Sequence, residues 1–219
     1  MNKTLTMLLM ASSLFLFSAD LLHAEEQKWV QVAQSDGVTV YSKEMPGTDY
    51  LAFKGIVVVD APIQKVLYVI VDNDHKKDWV KSLKTTTVLQ KIDEYEAVVY
   101  QAYELPWYVS DRDFVIRGKV TMNHSTGIIY VSAKSEVHPK APKTVGVRAE
   151  LIRSHFTLIP VANGSKTRVE LETLGSPKGW IPDWLVNMIQ KEWPVNSLSA
   201  LRNQLKKPHV KAYPLPPKK

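Results

Sequence analysis

From Thr85 to Thr173 the chain is a succession of strand-length apolar segments joined by turn residues, and a single amphipathic segment follows. Thr85 to Ile92 and Ala97 to Leu105 flank Asp93-Glu94-Tyr95. Arg112 to Met122 and Ile128 to Val137 flank Asn123 to Gly127. Val145 to Pro160 and Lys166 to Thr173 flank Ala162-Asn163-Gly164-Ser165. Asn-Gly readily adopts the positive φ that a tight hairpin requires. Consecutive hairpins dictate an antiparallel meander, because parallel strands need long crossovers.

Upstream, Val38 to Tyr41 follows an Asp36-Gly37 turn signal and reads as a strand. Phe53, Gly55, Val57 and Val59 alternate with Lys54, Ile56 and Val58, the period of a second strand ending at Asp60. Pro62 suits a first helical turn, and Val66, Leu67, Ile70 and Val71 have helical spacing. A second short helix is expected from His75 to Leu83. Pro177, Gly179 and Pro182 then punctuate the approach to the last element. There Trp184, Leu185, Met188 and Ile189 make an apolar face that Val195, Leu198, Leu201 and Leu205 continue. Pro194 removes a backbone donor and is expected to kink or split this helix. The expected class is α+β. A curved antiparallel sheet gripping one long C-terminal helix buries both apolar surfaces and can leave an apolar cavity between them.

The length of 219 residues suits one domain, and 45% hydrophobic with 23% charged residues is a globular balance. Residues 1–24 read as a signal peptide. Lys3 gives the basic start, Leu5 to Phe17 the apolar run, and Leu22-His23-Ala24 the cleavage site. The run is short for a bilayer span of about 20 residues. An uncleaved anchor is the alternative. With no cysteine, disulfides, thiol catalysis and cysteine-bound metals are excluded. An exported chain without disulfides suits a bacterial periplasm. The net charge of +6 attracts phosphate, and export favours anionic membrane surfaces over nucleic acid. A merely basic soluble surface is the plainer alternative. Residues 25–205 show no composition break, whereas the Pro- and Lys-rich segment 206–219 is expected to be an extended, largely disordered tail.

Several segments resemble the START (steroidogenic-acute-regulatory-related lipid-transfer) family. Trp79 follows an Asp-rich helix end, Asp72 to Asp78. Val99-Tyr100-Gln101 leads to Leu105-Pro106-Trp107-Tyr108-Val109-Ser110-Asp111-Arg112-Asp113-Phe114. Val147-Arg148, Pro177-Lys178-Gly179-Trp180-Ile181-Pro182 and the terminal helix follow in order. The Pro-Trp-x-x-Ser-x-Arg-Asp-Phe run is the most specific piece, and the likeness covers Trp29 to Leu205. It implies a helix-grip fold, an apolar tunnel for one lipid or sterol-like ligand, and non-covalent carriage between membranes. A monomer without a cofactor is expected. The chain before the first strand, Glu25 to Asp36, is shorter than the N-terminal helix of many START domains.

Arg112 alternates with Phe114, Ile116 and Val120, so the apolar face should carry it inward, with Asp111, Asp113, Arg117 and Lys119 on the solvent face. Arg148 and Glu150 share the parity of Ile152, Phe156 and Leu158. An inward cluster of Arg112, Arg148 and Glu150 is therefore expected. It would either meet a ligand's polar group or satisfy itself and hold the sheet. Phe53, Tyr100, Tyr103, Phe114, Val131, Leu171, Trp184, Met188 and Ile189 are candidates for the ligand wall, with ordinary core the default for each. Trp107 and Trp180, with Lys178, are candidates for membrane docking, since indole rings suit the headgroup level.

The histidines are scattered, with no His-Glu-x-x-His, and no metal site is expected. No Gly-x-Ser-x-Gly nucleophile turn is present, and no catalytic residue is expected. A helix-grip enzyme of the polyketide cyclase or dehydratase kind would need Glu150 or His155 on the cavity wall. A non-transferring envelope lipid sensor is the other alternative.

Overall fold

A computed structural model of the chain describes residues 28–48 and 50–218, apart from the side chains of residues 183 and 187–191. The expected signal segment lies outside the described residues. Among them no helix is long and apolar enough to cross a membrane.

The strands are β1 (Val30–Ser35), β2 (Val38–Glu44), β3 (Leu51–Val59), β4 (Leu83–Lys91), β5 (Glu96–Tyr103), β6 (Arg112–Asn123), β7 (Ile128–Ser135), β8 (Val147–Arg148), β9 (Glu150–Val161) and β10 (Lys166–Ser176). Helix α1 (Ile63–Val71) follows β3, and α2 (Asp183–Gln204) follows β10. All strands join one sheet in the order β1-β2-β3-β10-β9-β7-β6-β5-β4, with β8 beside β6. Each pair is antiparallel except the short β6–β8 pair. The β3–β10 pairing joins the N-terminal strands to the expected meander.

Directly paired residues share a face of the sheet. One row therefore runs Gly55, Leu171, Phe156, Val131, Val120, and the next runs Val57, Val169, Leu158, Ile129, Met122. These inner rows meet Leu198 and Leu201 of α2 and Val66, Leu67 and Ile70 of α1 in one core. Helix α2 continues through Pro194, so of the two expected outcomes, a kink or a split, the split does not occur. The proline stands on the sheet side. A Cβ added at Gly55 would lie 3.2 Å from the Pro194 Cβ and 2.8 Å from the Leu198 Cδ1. Close approach of helix to sheet thus depends on the missing side chain. Gly55→Ala is expected to destabilise by about 1–3 kcal/mol through overpacking. Urea unfolding would measure it, and trimming Leu198 to Ala in the same chain should relieve the clash.

Four expectations need correction. The segment from His75 to Leu83 is not a helix but a single 3-10 turn, Lys76–Asp78, because Ser82 takes a positive φ of 62° and turns the chain into β4. Residues 30–35 form an extra edge strand. Their pattern was weak because Val30 and Val32 are both exposed. The long strand from Val145 is broken at Ala149 into β8 and β9.

The fourth correction concerns the tail, which is extended but packed. Val210 is buried, and Tyr213 and Leu215 lie against the core. The Tyr213 N–H donates to the Gln64 carbonyl (3.1 Å) and its hydroxyl to that of Glu94 (2.7 Å). The Tyr95 hydroxyl donates to the Leu215 carbonyl (2.9 Å). Prolines remove internal hydrogen bonding, but the apolar side chains between them find a place across α1 and the β4–β5 turn.

Candidate functional site

Between β5, β6 and the start of α2 the inner face changes character. Tyr103 pairs with Arg112, Gln101 with Phe114 and Val99 with Ile116, so all six face inward. Apart from Arg112 they keep intermediate exposure, as do Phe53, Val131 and Phe156. Under the C-terminal half of α2, by contrast, Val57, Val169, Leu171 and Leu198 are fully buried core. Tyr103 meets Phe114 edge to face at 5.8 Å and donates its hydroxyl to Gln101 Oε1 at 3.0 Å. Burial pushes its phenol above the usual range.

Arg112 lies inward and is 4% exposed. Among the described residues no carboxylate meets it. Its Nε donates to the Pro177 carbonyl (3.2 Å), Nη1 to Ser110 (2.5 Å), and Nη2 to Lys178 (2.9 Å) and Trp180 (3.0 Å). The carbonyls of Pro177, Lys178 and Trp180 belong to the turn that delivers the chain from β10 into α2, and that of Ser110 to the loop that enters β6. Lys178 and Gly179 both have positive φ there, 46° and 64°. Glycine suits that backbone and lysine resists it. The guanidinium ties the carbonyls of the bend together.

The expected cluster of Arg112, Arg148 and Glu150 does not form. A bulge between Leu151 and Arg153 opposes Gly175 and Leu174, and the extra residue reverses the alternation. Glu150 therefore loses the face of Phe156 and pairs at the surface with Lys178 (2.9 Å). Arg148 lies in β8 opposite Asp113, on the outer face. Asp113, expected in solvent, is fully buried. It accepts from Arg148 Nε (2.5 Å), the Val145 N–H (3.0 Å) and the Tyr100 hydroxyl (3.1 Å). Tyr100 pairs with Val115 and faces outward too, in a second small core with Val98 and Ala102, under Ala141. Burial alone would raise the Asp113 carboxyl. The three donors and the charge of Arg148 outweigh burial and hold it below the usual carboxylate range.

Of the other wall candidates, Phe53, Tyr103, Phe114 and Val131 lie on the half-buried inner face, and Leu171 is core. Met188 and Ile189 are among the residues whose side chains are not described. Trp184 is half exposed and belongs to a surface patch. Its ring lies 6.3 Å from that of Tyr108, which meets Trp107 at 5.4 Å. Trp107 is 94% and Trp180 72% exposed, and the Trp180 carbonyl is held by Arg112. Gln101 and Tyr108 carried too little pattern to be singled out from sequence. Alternation along β5 could have placed Gln101 with Tyr103. His155 stands on the outer face, opposite Glu172 and Ser132, beside a shallow polar hollow of about 250 Å3.

An antiparallel sheet closed over one long C-terminal helix, with an inner wall of partly uncovered apolar side chains, defines the helix-grip class. The chain belongs to the START domain family, whose family model matches residues 16–209. An uncharacterized protein of Pseudomonas aeruginosa is 26% identical over 94% of this chain and the whole of that protein. Mitochondrial steroidogenic acute regulatory protein of Gallus gallus is 28% identical over 83% of this chain but only 66% of its own length. The crystal structure of a STAR-related lipid transfer protein from Xanthomonas axonopodis superposes with a TM-score of 0.70 at 29% identity, covering 82% of this chain and 99% of that one.

Proposed function

We propose that the protein binds one hydrophobic ligand, of lipid or sterol type, between the inner face of β5–β6 and the N-terminal half of α2, and carries it without covalent chemistry. The observation that carries this reading is the contrast along the inner face. Apolar side chains that pack with Leu198 and Leu201 of α2 are buried, whereas Val99, Tyr103, Phe114 and Ile116 on the inner face of β5 and β6 keep part of their surface. Gln101 and Tyr103 offer neutral hydrogen bonds to a ligand's polar end. The names of the relatives, which include lipid transfer proteins, agree. Glu150 and His155, the acid–base groups that an enzyme of this fold would bring to its wall, lie on the outer face.

In this reading Trp107, Tyr108, Trp180 and Trp184 dock the mouth of the site to a membrane. The rings of Trp107, Tyr108 and Trp184 meet in an exposed apolar patch with polar handles, and Trp180 is exposed on the turn that leads into α2. The protein acts outside the cytoplasm as a monomer, after removal of residues 1–24. The test is transfer of fluorescent phosphatidylcholine or fluorescent sterol between vesicles containing anionic lipid, together with native mass spectrometry of the loaded protein. Wild type should transfer at least one of them. Trp107→Ala with Trp180→Ala should slow transfer about tenfold, the equivalent of about 1.4 kcal/mol of lost interfacial contact, while the mass of bound lipid is unchanged. A protein that binds neither probe and stays empty would refute carriage.

A further inference from the structure

We propose that Asp72, His75 and His209 form a site for a divalent transition-metal ion, zinc being the probe of choice, which staples the C-terminal strap to the end of α1. The histidines are far apart in sequence, and none lies in a ligand motif. The fold nevertheless brings two of them together. The His75 and His209 rings stack with centroids 3.7 Å apart and planes 10° from parallel. The Asp72 carboxylate lies 2.7 Å from His75 Nδ1. One ligand atom from each of the three residues lies within 4.8 Å of the others.

Two imidazoles and a carboxylate are a donor set that suits zinc and its neighbours, at bond lengths of about 2.0–2.2 Å, and not magnesium or calcium. Parallel rings cannot both aim a lone pair at one ion. Closing the site therefore requires one imidazole to turn out of the stack and the 2.7 Å contact between Asp72 and His75 to open around the ion, since two donors at those bond lengths lie about 3.3–3.6 Å apart. The intermediate exposure of all three residues permits this and admits the ion from solvent.

Supporting groups are in place. Asp72 caps the C-terminus of α1 through its backbone N–H, and its carboxylate also meets the Tyr68 hydroxyl. The amide of Gln204, which is buried, meets His209 Nε2 at 3.1 Å. With its carbonyl turned to that nitrogen, the amide would accept Nε2–H and leave Nδ1 to the ion. Lys76, the cation next to this cluster, is engaged at the Ile70 carbonyl and over the Trp79 ring. The strap reaches the site on its own contacts, through Tyr213 to Gln64 and Glu94, so the three donors are gathered before any ion arrives.

Calorimetric titration of the full chain with zinc chloride is expected to give one site. His75→Ala and His209→Ala should each weaken it by about tenfold or more, and His138→Ala should leave it unchanged. A measurement on the unaltered protein guards against variants that fold poorly. Substoichiometric Cu2+ should broaden the ring resonances of His75 and His209 before those of His138 and His155. Absence of zinc binding, zinc binding indifferent to both variants, or copper broadening the other rings first would overturn the site.

Discussion

Arg112→Met is expected to destabilise the protein by about 3–5 kcal/mol, because several carbonyls lose a charged donor at once. Methionine keeps the bulk and the apolar stem, so little of the loss comes from a cavity. What disappears is the donor set for the carbonyls of Ser110, Pro177, Lys178 and Trp180. Each carbonyl left dry and unpartnered costs about 1–3 kcal/mol, and the total stays below their sum because water can reach some of them. Burial lowers the guanidinium pKa, but arginine keeps its proton in a folded protein, so the loss should not vary with pH near neutrality.

Arg112→Lys should recover only part of the stability. An ammonium has three donors at one point and cannot span carbonyls that the planar guanidinium meets along its length. Equilibrium unfolding in urea gives the magnitude, and amide exchange gives the place. Exchange should quicken at residues 177–186, where the turn with positive φ enters α2, before it quickens in β2 or β3. Stability within about 1 kcal/mol of wild type would show that the turn holds itself and that Arg112 is not its clamp.

The contrast between Arg112 and its neighbours shows what alternation in a sequence can carry. Period-2 patterning placed Arg112, Phe114 and Val120 inward because β6 is an unbroken strand between two partners. The same rule misplaced Glu150 because one extra residue at Ile152 reverses the parity, and a bulge leaves no local mark in composition. It misplaced Arg148 as well, because that bulge and the break at Ala149 separate β8 from the parity of Phe156, and it put Asp113 on the right face but in solvent, because alternation alone assigns a strand one wet face. The chain from Glu136 to Gly146 covers the outer face of β5 and β6, which makes Asp113 and Tyr100 interior groups there. Such coverage is a tertiary fact, and no spacing encodes it. The packed tail and the meeting of His75 with His209 are of the same kind. The hairpins were legible because each turn carries its own residues. The exposed aromatic patch was legible in part, since Trp107 and Trp180 flank prolines that end their strands.

Asp113→Asn is the sharpest test of that covered outer face, with an expected loss of about 2–4 kcal/mol at neutral pH. The range sits below that of a wholly buried pair because Arg148 is about one-third exposed, so solvent screens part of its interaction. Asparagine keeps the shape and, with its one oxygen in the place of Oδ2, still accepts from the Val145 N–H and the Tyr100 hydroxyl; its NH2 then faces the Arg148 Nε–H donor to donor, so the change removes the charge and the acceptor for Arg148 together. Arg148 keeps the Pro142 carbonyl (2.8 Å) and loses its counter-ion. The pH dependence has a definite sign. The folded carboxyl titrates below its unfolded value of about 3.9, so the folded state binds fewer protons and the carboxylate's contribution is fully present above that value. The difference between wild type and Asp113→Asn should therefore be constant above about pH 5, then shrink as pH falls through the folded pKa. A cycle with Arg148→Met, run in urea at neutral pH, should show strong coupling, because the two side chains share one ion pair. Additive losses, or a gap that widens on acidification, would mean that Asp113 is held by its backbone neighbours and not by Arg148.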